Sequence, residues 1–207
     1  PRKLLSQVDA LIVRTNPGLW VVALAGGVGA RFWPASTPDR PKPLLPLGSS
    51  RSLIRHTVDR VPGLVPPDRF RILTGARLLS RFREALPDLA EDTFWIEPKA
   101  RGTGPALAWA AHRARRIEPG AVIISLHADH LVTPEEAFAP LIREAVRIAC
   151  DEDLLVTVAA VPDRPETGYG YIRPGEPLAS DRGVEAFRVG EFVEKPDVET
   201  AADYVSR

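Results

Sequence analysis

The residues best suited to chemistry are a glycine-rich loop and the basic residues that follow it. Gly26, Gly27 and Gly29 end an apolar run, and Arg31 and Lys42 come shortly afterwards. Glycines let backbone N–H groups approach an anion without interference from side chains. Arg31 can hold two phosphate oxygens in a fork, and Lys42 can place a point charge on them. The segment therefore predicts a polyphosphate site in which both cations stabilise a departing pyrophosphate.

This loop matches neither of the two familiar nucleotide-binding loops. It has no Gly-Lys-Ser/Thr of a P-loop, and Phe32 stands where the dinucleotide fingerprint needs its third glycine. Both loops also lead into a helix, whereas the prolines of this segment prevent residues 32–48 from forming one. A plain tight turn beside solvated surface charges is the alternative interpretation.

A second candidate group surrounds Asp129. This residue follows the apolar run at 122–126, and ligands bind at the carboxyl ends of strands in open α/β sheets. A carboxylate there suits Mg²⁺, which takes oxygen ligands and bridges phosphate oxygens. His127 and His130 flank Asp129, but a zinc site needs more ligands than this cluster offers. We interpret the two histidines as structural or hydrogen-bonding residues.

The segment from Glu97 to Pro105 joins a predicted strand to a predicted helix. Free amide groups at such a junction, together with Thr103, can contact a base or a ribose. A helix cap is the alternative.

The last candidate residues lie near the carboxyl end of the chain. Gly168 and Gly170 allow close approach of the backbone, Glu194 can accept from sugar hydroxyls, and Lys195 can bind a sugar phosphate. A β-bulge and an exposed ion pair are the alternatives.

Taken in order, these segments resemble the signature of sugar nucleotidyltransferases, and the Trp-Pro form of the first resembles mannose-1-phosphate guanylyltransferases in particular. The segments are GGVGARFWP at 26–34 with RPKPLL at 40–45, EPKARGTGP at 97–105, HADH at 127–130, ETGYGYI at 166–172 and FVEKP at 192–196. Five ordered motifs make chance similarity very improbable.

The resemblance implies an α/β fold: a Rossmann-like three-layer sandwich with a mostly parallel central sheet, of the nucleotide-diphospho-sugar transferase type, with a small mixed β extension. It implies transfer of a guanylyl group from GTP to mannose 1-phosphate, which gives GDP-mannose and pyrophosphate and uses Mg²⁺ held by Asp129. The family's second metal aspartate would lie beyond residue 207, so we expect the nucleotidyltransferase domain, residues 20–207, to be incomplete at its carboxyl end.

The resemblance also implies roles for the candidate residues. Arg31 and Lys42 are expected to be catalytic. The nucleotide-binding residues are expected to be Ala25, Gly26, Gly27, Gly29, Arg31, Lys42, Glu97, Thr103 and Pro105. The residues expected to bind the sugar phosphate are Gly168, Tyr169, Gly170, Glu194 and Lys195.

Two alternatives to this function stay open. Where the family usually has Arg-Asn-Thr-Ala-Pro, this chain has Gly102 and Gly104, which leaves another base or another sugar 1-phosphate open. A non-catalytic regulatory paralogue with the same fold is the other alternative. Retention of the cations and of Asp129 argues against it.

The elements that position these residues follow from hydrophobic periodicity. Strand-type runs at 20–25, 70–73, 93–96, 122–126 and 154–161 are separated by helical patterns. This alternation predicts one parallel sheet, with Ile72 and the runs at 21–25, 122–126 and 156–160 buried at its centre. The glycine loop and Asp129 should then share one edge of that sheet.

Helical patterns are clearest at 53–61, after Pro105, and after Thr133, where Thr133 and Glu136 form a capping box. A final helix is predicted from Asp197 to about Val205. Shorter strands at 169–172 and 187–193 predict a mixed or antiparallel extension.

Composition excludes several classes of protein. Lys plus Arg and Asp plus Glu number 27 each, so no basic excess points to nucleic acid. No run approaches the roughly 20 apolar residues of a membrane span, and residues 1–19 predict a short helical extension. Cys150 is the only cysteine, so an internal disulfide is excluded. A single cysteine suits a reducing cytoplasm. We expect Cys150 to be buried. A homodimer is compatible with the sequence.

Overall fold

The computed structural model describes residues 18–27, 29, 32–181 and 183–206. Arg31 and nearly all of the predicted N-terminal extension lie outside the described residues. The chain divides into two compact units, Pro1–Ala139 and Pro140–Arg207. The single domain expected over residues 20–207 stays a prediction.

The first unit is built on a four-stranded sheet in the order β3-β2-β1-β4. The strands are β1 (Leu19–Leu24), β2 (Phe70–Gly75), β3 (Phe94–Glu97) and β4 (Val122–His127). β1 pairs in parallel with β2 and β4, and β2 pairs in parallel with β3. The predicted parallel α/β sheet is confirmed.

Both faces of β1 are buried, as expected for a parallel sheet covered by helices. Val21 and Val22 point to opposite faces and are both fully buried. The face that carries Val22 packs against helix α3 (Thr103–Ile117) through a stripe of small residues, and Trp20 stacks on Trp95 at a centroid distance of 5.9 Å. The alanines of this stripe are Ala106, Ala110 and Ala114.

Helices α1 (Leu53–Arg60) and α2 (Leu79–Ala85) complete the regular elements of the first unit. α1 confirms the predicted helix, and the Ser52 side chain caps it by accepting a hydrogen bond from the Arg55 N–H. α3 begins two residues before Pro105. Gly102 precedes it with a φ of +91°, a conformation that favours glycine.

Helix α4 (Phe138–Asp151) begins later than the sequence predicts. A 3₁₀ turn over Glu135–Ala137 comes first, and no side-chain hydrogen bond caps it. The capping box predicted at Thr133 and Glu136 is therefore wrong. The helix itself is confirmed.

The second unit contains an antiparallel pair, β5 (Gly170–Pro177) and β6 (Phe187–Glu194), followed by helix α5 (Val198–Ser206). The Asp197 carboxylate accepts a hydrogen bond from the Thr200 N–H at 2.8 Å and so caps the start of α5. These elements confirm the predicted small β extension and the final helix.

Three expectations about strands and burial are wrong. Residues 154–161 lie in no strand, and Leu155 and Val161 are almost fully exposed; a strand needs a ladder partner, and none pairs with them among the described residues. β4 was expected at the centre of the sheet, but it is the end strand in the order above, and its first residue, Val122, is only partly buried. Cys150 is exposed at the second-last position of α4, because the buried part of that helix ends before it, at Ile148.

None of the helices in the described part of the chain combines the length and the apolar character needed to cross a membrane.

Candidate active site

The candidate nucleotide site lies where the strand order of the parallel sheet reverses. From β1 the chain continues to β2 and β3 on one side, whereas β4 returns on the other side of β1. In open α/β sheets, ligands bind at the carboxyl ends of the strands at such a switch point. Since β1 and β4 are parallel neighbours, the glycine loop and Asp129 both follow strand ends at this edge, as predicted.

The start of the glycine loop is fixed by the strand beside it. The Ala25 N–H donates to the Leu73 carbonyl at 2.8 Å. The buried Thr74 hydroxyl donates to the Ala25 carbonyl at 3.2 Å. Gly26 and Gly27 follow in an exposed, irregular segment. Because Ala25 is bound at both backbone groups, the next amides leave the sheet in a defined direction.

Gly29 brings the loop against Lys42. Its φ is +67°, and a Cβ built on it would lie 2.5 Å from the Lys42 Cβ. The Ser36 hydroxyl and the Phe32 N–H both donate to the Gly29 carbonyl, at 2.5 and 2.9 Å. Lys42 itself begins a 3₁₀ turn directly after the buried Pro41. Gly29 therefore packs directly against Lys42, with no room for a side chain between them.

Lys42 and Asp129 form an ion pair across the switch point. Lys42 Nζ lies 3.1 Å from Asp129 Oδ2, and the two side chains are 22% and 35% exposed. Lys42 Nζ also lies 4.7 Å from the centroid of the Phe32 ring, within the range of a cation–π contact. The structure thus brings together two residues that the sequence assigned to different roles, one to phosphate and one to metal.

The short segment that carries Asp129 is held from both sides. The Ala128 N–H donates to the Leu24 carbonyl at 3.1 Å. Arg60 Nη2 donates to the His130 carbonyl at 3.4 Å. Burial lowers the pKa of Arg60, and the charge of Glu135 opposes this; the guanidinium stays protonated because its ordinary pKa is far above neutrality.

His127 and His130 stack on each other, with ring centroids 5.0 Å apart and an angle of 29° between the planes. Partial burial of the His130 ring lowers its pKa. The neighbouring His127 lowers the pKa of His130 further, and Asp129 raises it.

Glu97 reaches the glycine loop from the end of β3. A Cβ built on Gly26 would lie 3.6 Å from Glu97 Oε2, so this carboxylate lies beside the loop. Thr103 and Pro105 are exposed on the first turn of α3.

The five residues expected to bind the sugar phosphate lie together in the second unit. Gly170 pairs with Glu194 at the end of the β5–β6 ladder, and the Lys195 N–H donates to the Tyr169 carbonyl at 3.2 Å. Lys195 and Glu194 form a side-chain ion pair. The Gly168 N–H donates to the Glu166 carboxylate at 3.0 Å.

Three further residues support the site without a sequence motif to mark them, namely Ser36, Thr74 and Arg60. Each acts by a hydrogen bond to a backbone carbonyl of the site segments. No motif marks them, because a carbonyl acceptor is available in every residue type. The sequence held a signal only for Arg60, which lies on the apolar face of its helical pattern, three residues after Thr57 and seven after Leu53; an arginine on such a face is rarely buried without a partner.

The family of this chain follows from its similarity to known proteins. A family model described as "Nucleotidyl transferase" matches residues 20–207. The chain is 38% identical over 197 residues to mannose-1-phosphate guanylyltransferase of Escherichia coli K12, covering 91% of this chain and 40% of that protein. It is 40% identical over 190 residues to mannose-1-phosphate guanylyltransferase of Salmonella montevideo, covering 89% and 39%.

One solved structure is also similar in sequence. The crystal structure of mannose-1-phosphate geranyltransferase from Thermus thermophilus superposes with a TM-score of 0.77 at 33% identity, covering 91% of this chain and 53% of that one. The chain thus spans about two fifths of the length of the curated relatives. Because the family match runs from β1 to the end of the chain and includes all five motifs, this chain belongs to the nucleotidyl transferase family.

Proposed function

We propose that this protein transfers a guanylyl group from GTP to mannose 1-phosphate, giving GDP-mannose and pyrophosphate. The observation that carries the proposal is the ion pair between Lys42 and Asp129 beside the glycine loop at the switch point of the sheet. The names of the relatives from Escherichia coli and Salmonella montevideo favour GTP and mannose 1-phosphate over other substrates. The single cysteine and these substrates favour the cytoplasm.

The donor set at Asp129 fits Mg²⁺. Asp129 Oδ2 faces Lys42, whereas Oδ1 lies on the other side, 3.9 Å from His130 Nε2. Mg²⁺ is commonly bound through one or two carboxylates, with waters and substrate phosphates completing its octahedron. Asp129 would hold the ion, and the ion would neutralise phosphate charge.

In the proposed reaction, a phosphate oxygen of mannose 1-phosphate attacks the α-phosphorus of GTP in line. The new oxygen–phosphorus bond forms as the bond to the β-phosphate oxygen breaks, and pyrophosphate leaves with the electron pair. The nucleophile is already an anion, so the protein needs no general base and no covalent intermediate. Positioning and charge neutralisation supply the catalysis.

Each group of residues has a task in this scheme. The amides of Gly26 and Gly27 receive the nucleotide, and Lys42 stabilises the charge that develops on pyrophosphate. Arg31 is expected to act with Lys42. Glu97, Thr103 and Pro105 are expected to contact the base or ribose.

In the second unit, Lys195 and Glu194 are expected to bind the phosphate and a hydroxyl of the sugar. Their support is the β5–β6 ladder end, where Gly168, Tyr169 and Gly170 lie beside them.

The test is a substrate panel on the purified protein with Mg²⁺. Mannose and glucose 1-phosphates are crossed with GTP, ATP, CTP and UTP, and pyrophosphate release and sugar-nucleotide formation are both measured. GTP with mannose 1-phosphate should give the highest kcat/KM. A higher value with another pair would overturn the substrate assignment, and no turnover of the full-length protein with any pair would favour a regulatory paralogue.

A further inference from the structure

A serine, a histidine and a glutamate of the first unit form a chain of contacts, and none of them is among the residues expected to bind nucleotide, metal or sugar phosphate. Ser49 Oγ lies 2.6 Å from His56 Nε2, and His56 Nδ1 lies 3.5 Å from Glu135 Oε1. The two ring nitrogens therefore face different partners, one a hydroxyl and the other a carboxylate. In this order of groups, a histidine can take a proton from the serine while the carboxylate orients the ring.

His56 is the central residue of this chain of contacts. It lies on α1 and is only 4% exposed. Its Nδ1 atom is buried and has no hydrogen-bond partner within the described part of the protein, which is costly for a polar atom. The half-exposed Glu135 side chain is near enough to supply that partner after a small rotation. Such a contact keeps the proton on Nδ1 and leaves Nε2 free to accept from Ser49.

The Ser49 hydroxyl is held by the loop that precedes α1. The Arg51 N–H donates to Ser49 Oγ at 3.0 Å. The hydroxyl can donate to the Arg51 carbonyl at 3.2 Å or to His56 Nε2, and the contact with His56 is the shorter one. Because Ser49 is nevertheless exposed, a molecule from solvent can reach its oxygen.

An apolar surface lies beside this serine. Gly48 packs so closely against Leu131 that a Cβ built on the glycine would lie 2.7 Å from Leu131 Cδ2. The Leu131 side chain is 47% exposed. It therefore offers an apolar contact to the acyl part of an ester that approaches Ser49.

We propose that Ser49 is a nucleophilic serine that takes an acyl group from activated esters, with His56 as its general base and Glu135 as the residue that orients His56. Ser49 Oγ attacks the ester carbonyl carbon, and the hydroxyl proton passes to His56 Nε2. The bond from this carbon to the leaving oxygen breaks as the oxygen departs with the electron pair and takes up the proton from His56. The product is an ester of Ser49. This acylation goes beyond the proposed transfer reaction and does not depend on it, because none of the three side chains has a role in that reaction.

The experiment measures acetylation at single serines. The full-length protein is treated with p-nitrophenyl acetate, and peptide mapping by tandem mass spectrometry gives the rate at each serine. A histidine general base contributes roughly 10²–10⁴-fold. Ser49 should therefore be acetylated at least about a hundredfold faster than Ser50, the exposed serine next to it in the same loop. The fast release of nitrophenolate should be lost in Ser49→Ala and kept in Ser50→Ala, the matched control.

Two further variants test the roles of the partners of Ser49. Acetylation of Ser49 should slow at least about tenfold in His56→Gln and a few-fold in Glu135→Gln. Circular dichroism checks the fold, and Glu135→Gln, at a half-exposed side chain, serves as the test if His56→Gln does not fold. Equal rates at Ser49 and Ser50 overturn the proposal, as does an unchanged rate at Ser49 in the folded variant used. Absence of turnover in the substrate panel leaves these results unaffected.

Discussion

The two groups of candidate site residues rest on sheets of different kinds. In the first unit, the strand that leads into the glycine loop is paired on both sides and fully buried at Val21 and Val22. In the second, the candidate residues end a two-stranded ladder on which Val189 and Phe192 are 57% and 59% exposed. A two-stranded hairpin is marginally stable on its own. The buried four-stranded sheet holds the first group of residues in place, whereas only the short β5–β6 ladder holds the second.

The charged pairs of the two groups differ in the same way. Lys42 and Asp129 come from distant parts of the sequence and meet only because the sheet brings them together. Glu194 and Lys195 are neighbours along the chain and would be close in almost any fold. The first pair therefore depends on the tertiary structure, and the second depends mainly on local backbone geometry.

The largest expected effect is on stability. Ile72 is fully buried in β2, so Ile72→Ala should lower the free energy of unfolding by about 2–5 kcal/mol through lost burial and a cavity. The exposed Val189→Ala should change it by about 0.5 kcal/mol or less. Denaturant unfolding followed by circular dichroism measures both. Equal losses would contradict the contrast between the two sheets.

Asp129→Asn should have the largest effect on catalysis. The substitution keeps the shape but removes the charge and one oxygen ligand, so kcat/KM should fall on the order of a hundredfold, about 2.7 kcal/mol. Steady-state kinetics across a Mg²⁺ titration measure this, and an unchanged melting temperature shows that the fold is intact. Asp92→Asn, at an exposed carboxylate 3.8 Å from Arg71, is the control. A loss of less than twofold in Asp129→Asn would remove this residue from the metal site.

Lys42→Ala should lower kcat more than it raises the KM for mannose 1-phosphate. Lys42 is expected to act on charge that develops in the transition state, and a charge-assisted contact is worth roughly 1.5–3 kcal/mol. At least about a tenfold fall in kcat is expected. Arg81→Ala, at an exposed arginine paired with Glu84 on α2, should behave like the parent protein. Unchanged kinetics of Lys42→Ala would reassign this residue to the solvated surface.

Lys195→Ala should have the smallest effect and should act on binding. Its side chain is exposed, so the KM for mannose 1-phosphate should rise by a few-fold, up to about tenfold, with kcat nearly constant. Arg173→Ala removes another exposed ion pair from the same hairpin, with Glu191, and should leave KM unchanged. A dominant fall in kcat instead would show that Lys195 acts in the chemical step.

The sequence predicted β1 to β4 and their parallel arrangement because each has an apolar run bounded by helical patterns. It was wrong about residues 154–161, whose run is just as apolar. A helix makes its hydrogen bonds within its own segment, whereas a strand depends on a partner that its own sequence does not specify. The same reason explains β4, whose composition suits a central strand although it ends the sheet.

At the candidate site, the residue types and the sheet edge were predictable, and the contacts were not. The rule for carboxyl ends of parallel strands placed Asp129 near the glycine loop. That Lys42 would pair with Asp129, or that Ser36 would bind the Gly29 carbonyl, depends on the path of the proline-rich segment. No local pattern describes that path.

The positions of the glycine loop and of Lys42 are coupled through Gly29. Lys42 occupies the space that a side chain at this position would need, since an added Cβ would lie 2.5 Å from the Lys42 Cβ. Lys42 cannot easily retreat, because buried Pro41 and Pro43 hold its turn. A substitution at Gly29 would therefore displace the loop amides and the Lys42 charge together, so the two roles that the proposed function gives them cannot be changed separately at this position.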